Sequence, residues 1–76
     1  MSYIVIELQT NANGTVGNIV TAYTDRNQAE QKYHTVLAAA AVSALPAHAA
    51  VLITSDGMTL AHECYHHAQP EPEEET

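Results

Sequence analysis

Hydrophobic and polar residues alternate from Tyr3 to Gln9, with Ile4, Ile6 and Leu8 pointing one way and Tyr3, Val5, Glu7 and Gln9 the other. A β-branched run of period two predicts a strand. Asn13-Gly14 follows, and Asn-Gly between two apolar runs signals a hairpin. Val16 to Thr24 then reads as the returning strand, and Gly17 inside it suggests a bulge or a close backbone approach. From Arg26 to about Ala44 the spacing becomes helical, and Ala29, Tyr33, Val36, Leu37, Ala40 and Ala44 share one face. Asp25 is placed to cap this helix, with Gln28 three residues on as in a capping box. Pro46 ends it, because the residue before a proline is pushed out of the α region. Ala49 to Thr54 is apolar on both faces, which suggests a strand buried on both sides. Ser55-Asp56-Gly57 is a turn. Met58 to His67 alternates again, with Met58, Leu60, His62, Cys64 and His66 on one side.

The expected fold is therefore α+β, in the order ββαββ: a four-stranded antiparallel sheet with one long helix packed on one face. A single domain would occupy residues 1–67. Residues 68–76, with no apolar anchor and four glutamates, read as a disordered acidic tail.

Chain length and composition bear on assembly. A chain of 76 residues hides only ~60% of its unfolded surface. Its apolar content, 46% of residues with no Phe or Trp, is mostly Ala, Val, Ile and Leu. Such side chains bury little area each. The sheet face away from the helix is expected to hold Val5 with one row each of the second and third strands, a patch of the kind that marks contacts. The helix face opposite Tyr33 carries Thr35, Ala38, Ala39 and Val42, small enough for close approach or simply good helix formers. A homodimer or higher homo-oligomer, through sheet face or helix, is the expected partner state.

The formal charge of −7 excludes several partners. Four of the nine acids fall in the last six residues, leaving five acids against Arg26 and Lys32 in the body. Nucleic-acid polymers and anionic membrane surfaces are disfavoured, since both are bound through Lys and Arg. Cys64, the one cysteine, allows no disulfide within the chain and suits a reducing compartment. With no recognisable signal peptide or apolar span, the expected location is cytoplasmic. Asn13-Gly14-Thr15 matches a glycosylation sequon but reads as the hairpin turn.

Candidate chemistry is sparse. His62-x-Cys64-x-His66 sets three donor groups on one face of the last strand, ~6–7 Å apart. The spacing lacks the pairing of zinc modules, so these side chains read as interfacial or hydrogen-bonded, and no metal or cofactor is expected. Cys64 as a nucleophile would need an oriented base and an oxyanion site; neither is evident, and no catalytic residue is assigned. Arg26 stands in the first helical turn, where amides and dipole favour an anion. It is expected to lean toward the packed face, where Tyr33, Tyr23 or Tyr65 can stack on a base. The alternative is an i,i+4 bridge to Glu30. Five histidines also allow a response to pH.

The segments "YIVIELQT", "AYTDRNQAEQKYHTVLAAAAVSALPAHAAVLIT" and "ECYHH" resemble small uncharacterised proteins encoded by phages and prophages of gut Firmicutes. The resemblance covers nearly the whole chain except the tail. It implies a phage accessory or virion-associated protein in a bacterial host, and transfers no functional residue. In size, expected assembly and context the chain is also similar to phage proteins that sequester nucleotide immune signals, such as cyclic dinucleotides or ADP-ribose derivatives. The expectation is a non-enzymatic protein holding a small nucleotide between subunits, with Arg26, Tyr33, His62, Tyr65 and His66 as ligand-binding candidates. The alternative is a structural or virion-associated interaction module with no small-molecule ligand.

Overall fold

The chain runs β1 (Tyr3–Thr10), β2 (Val16–Tyr23), α1 (Arg26–Ala41), β3 (Ala47–Thr54) and β4 (Thr59–His66). These elements belong to a computed structural model that describes residues 1–68. Residues 69–76, most of the expected acidic tail, lie outside the described residues. The strands form one antiparallel sheet in the order β2-β1-β3-β4. The helix joins edge strand β2 to inner strand β3 and lies across one face. The fold is α+β with the expected ββαββ order.

The turns form where the sequence places them. At the first, Asn11 N–H donates to Thr15 O at 2.8 Å and Gly14 N–H to Asn11 O at 2.9 Å. Gly14 sits at φ +89°, a conformation that disfavours any residue with a Cβ. At the second, the buried Thr54 hydroxyl donates to the Asp56 carboxylate and accepts from Met58 N–H. One hydroxyl thus ties β3 to the start of β4.

Asp25 caps α1, its carboxylate accepting from Asn27 N–H at 3.0 Å. The buried stripe is Ala29, Tyr33, Val36 and Ala40, spaced four, three and four residues apart. The helix stops at Ala41, three residues before the expected end. Val42 caps it, its N–H donating to the Ala39 carbonyl and the next N–H, of Ser43, to the Ala40 carbonyl. The Ser43 hydroxyl then accepts from Leu45 N–H at 3.1 Å, and Leu45 must already be extended to precede Pro46. Ala44 therefore leaves the helical stripe.

The two faces of the sheet are occupied opposite to expectation. Val5, only 1% exposed, lies under the helix beside Leu52, its partner across β1 and β3. Ile4, Ile6 and Leu8 are the row left on the open side, half-buried by their neighbours. The difference lies in register, since a slip of one residue would exchange the two rows: Val5 is aligned with Thr21 and Leu52, and that row is the one the helix covers.

β3 alternates between buried and half-buried along its length, so the burial expected on both sides is found on one only, because the helix covers a single face. Gly17 is paired regularly with Gln9 and marks no bulge. The irregularity lies instead between Leu52 and Ile53, opposite Thr59 and Ala61, and it turns Leu60 toward the core cluster.

Candidate functional site

Under the helix, the strands bring together polar groups that the sequence scatters. Glu7 and Gln9 of β1 and His48 of β3 share the helix side, Gln9 and His48 being cross-strand partners. Glu7 Oε2 lies 2.6 Å from His48 Nε2 and accepts from Gln9 Nε2 at 2.8 Å. Both members of the ion pair are nearly sealed, with side chains 14% and 7% exposed respectively. Burial pushes the Glu7 carboxyl up. The hydrogen bonds from Gln9 and His48, with the charges of His48 and Lys32, outweigh it and hold the group below the usual carboxylate range. Neither Glu7 nor His48 stands out as a candidate in the sequence. The available signal is an acid on the same strand row as Val5, which must find a partner once that row is buried.

A second cluster closes the far end of the helix. His67, just past β4, donates from Nε2 to the Ala40 carbonyl at 2.7 Å and stacks on Tyr65 with rings 9° from parallel. The last turn of α1 has no basic residue of its own, so a residue 27 positions away supplies a donor to its terminal carbonyls. Tyr33 belongs to the core. Burial raises its phenol above the ordinary range, and the charge of Glu63 and the neighbouring Tyr65 add to that.

The ligand-binding candidates separate in this geometry. Arg26 does not lean on the packed face; its Nε bonds Glu30 Oε2 at 2.9 Å, with side chains 53% and 42% exposed. Tyr33 is buried, and Tyr65 lies on the helix side of β4 beside His48. His62 and His66 are on the other side of the sheet, in register with Val51 and Ala47. Tyr33 and Tyr65 share a neighbourhood on the helix side, and His62 and His66 share the open side of β4. A groove of about 320 Å³ runs between α1 and β2, lined by Tyr23, Gln28, Gln31, Lys32 and Thr35. None of the five candidates lines it.

The open side of the sheet is the largest distinctive surface. Its central rows are Val20–Ile6–Val51–His62 and Asn18–Leu8–Ala49–Cys64, read across the four strands. Flanking rows add Ile4 and Ile53 at one end and Val16 and Ala47 at the other. Val16 and Val20 are 58% and 56% exposed. Asp, Glu, Lys and Arg are absent from these rows; Glu7, Glu63 and the charged residues of α1 lie on the helix side, and Asp25 and Asp56 in the connections. At the β4 edge His62, Cys64 and His66 line up, with Cys64 Sγ 3.5 Å from His66 Nε2. Among the described residues no three His, Cys, Asp or Glu side chains are grouped to hold a metal ion. No helix among them is long and apolar enough to cross a membrane. Compared with known proteins, the chain matches no family model, no curated protein and no solved structure.

Proposed function

We propose that this chain is a non-enzymatic protein-interaction module whose working surface is the open face of its sheet. One observation carries this: β2, β1 and β3 present Ile, Val, Leu and Ala with only Asn18 and Thr10 between them, His62, Cys64 and His66 border the face along β4, and neither an Asp, Glu, Lys or Arg nor a covering element lies on it among the described residues. Contiguous apolar patches of that size mark contact surfaces. Sequestration of a nucleotide would ask Arg26, Tyr33, His62, Tyr65 and His66 to meet at one pocket. In one chain these residues stand at a helix start, in the core and on both sides of the sheet. The interaction module needs no such convergence and is the better supported function.

Photo-crosslinking in the host cell tests it. A crosslinking amino acid at Val20, on the open face, should give protein adducts. The same group at Gln31, on the helix where it borders the groove with β2, should give few. Adducts from Gln31 and none from Val20 would move the working surface to the helix. Retention of a nucleotide through gel filtration, abolished by Arg26→Ala, would restore the sequestration reading instead.

A further inference from the structure

We infer that the occupant of the open face is a second copy of this chain, the two sheets packing face to face with their helices outside. The inference rests on taking that face as the working surface. Three features of the chain select a copy of itself over a different partner.

The first is charge. The chain carries −7 overall, so two copies repel wherever acids meet acids. The open face is where they can meet without placing a charge in the contact, and desolvating an unpaired charge is the costliest event at an interface. A strongly acidic or basic partner would find nothing on this face to pair with.

The second is size. Strands of eight residues at ~3.3 Å, four abreast at ~4.8 Å, give a face of roughly 26 by 20 Å. Such a face, about 520 Å² in plan, lets two copies bury about 1,000 Å² between them, the threshold for a specific interface. Two sheets stacked ~10 Å apart interdigitate their inner rows, and a two-fold axis sets the same patch on both sides. Ile6 and Val51, adjacent on the inner strands, then lie near the centre.

The third is the shortage of core. Val5 and Leu52 are the largest fully buried side chains among the described residues, and the rest of the buried core is Tyr33, Val36 and three alanines. A domain this small rarely gathers enough apolar burial by itself. Covering Ile4, Ile6, Leu8, Val51 and Ile53 would add a second core layer of five aliphatic side chains from each copy.

The test is the solution mass of the full chain at micromolar concentration, by sedimentation or light scattering. The expected species has twice the 8.2 kDa chain mass. Ile6→Glu and, separately, Val51→Glu should weaken association by at least about 30-fold, the hot-spot threshold. If either variant fails to keep its far-UV circular dichroism, Val20→Lys, at a position already exposed, serves in its place. Gln31→Glu on the helix should leave the dimer intact. A wild-type chain that stays at monomer mass at a roughly 100-fold higher concentration overturns the second copy. In that case open-face crosslinks to another protein would still uphold the interaction module. A dimer that survives all three face variants overturns the assignment of the face itself.

Discussion

The two sides of this sheet invert the usual arrangement. The side buried within the chain is the more polar one: Glu7, Gln9, His48, Thr54 and Glu63 all stand on it among Val5, Ala50 and Leu52. The open side carries the β-branched rows and no charge. The polar residues under the helix are only partly paired: Glu7 holds Gln9 and His48, while His48 Nδ1 and Thr21 Oγ1 are buried with no hydrogen-bond partner. The apolar residues on the other side have no such cover within the described chain. A surface that a lone monomer would find unfavourable therefore coexists with a polar, partly paired interior. Local apolar count, it follows, does not say which face is the intramolecular core.

Shortening one side chain on each side is the most severe test of that contrast. Leu52→Ala removes one of the two largest fully buried side chains among the described residues and should cost about 3 kcal/mol, within the 2–5 range for such cavities. Domains this small hold little more than that in total, so the variant should be largely unfolded at body temperature. Val20→Ala on the open side should change the stability of the isolated monomer by under about 1 kcal/mol, while weakening assembly. Urea unfolding at low chain concentration, where association is minimal, measures both. Equal losses would mean that the open rows contribute to the monomer core after all.

The polar side makes its own prediction. Glu7 has a folded-state pKa held below its unfolded value, so its contribution is present above the unfolded pKa and is lost as pH falls through the folded one. Glu7→Gln should destabilise the protein by about 2 kcal/mol near neutral pH, the scale of a hydrogen bond to a charged group. The gap between variant and wild type should close toward about pH 3, below the ordinary carboxylate range. Unfolding free energies at both pH values check this. A loss that persists undiminished in acid would show that shape, not charge, is what Glu7 supplies.

What the sequence makes legible depends on range. Both hairpins, the Asp25 cap and the buried stripe from Ala29 to Ala40 depend on residues within a few positions of one another, and all stand where the pattern puts them. The helix ends three residues before its pattern does, because the helix propensity of the alanine run is not what decides the stop. Ser43, Leu45 and the approach to Pro46 decide it. Long-range features leave no local trace. The pairing of Glu7 with His48 spans 41 residues and that of His67 with Ala40 spans 27; each needs the strand order β2-β1-β3-β4 before it can be drawn. Val5 and Ile6 exchange roles through cross-strand register, which is likewise long-range. Arg26 illustrates the opposite case, since its bridge to Glu30 is a four-residue relation and is readable from spacing as the alternative to anion binding.

The mildest change should come from the edge of the open side, where the contrast between polar and apolar faces blurs. His62 and His66 stand there with Cys64 between them and with Val51 and Ala47 of β3 beside them. A two-fold axis across the strands would stack β4 on β4 and bring both histidine rows together. An axis along the strands would set them against Val16, Asn18 and Val20 of the other copy. In neither arrangement does the facing surface offer a carboxylate. Polar rings at the edge of an apolar contact contribute little of its strength, which gathers at its centre. Replacing His62 and His66 together with Gln should therefore weaken association by less than about fivefold, a change of under about 1 kcal/mol, measured by sedimentation beside the wild-type chain. A loss as large as that of Ile6→Glu would move the centre of the contact to β4, and a dissociation constant that does not move at all would place the histidines outside the contact and restrict the interface to the three strands β2, β1 and β3.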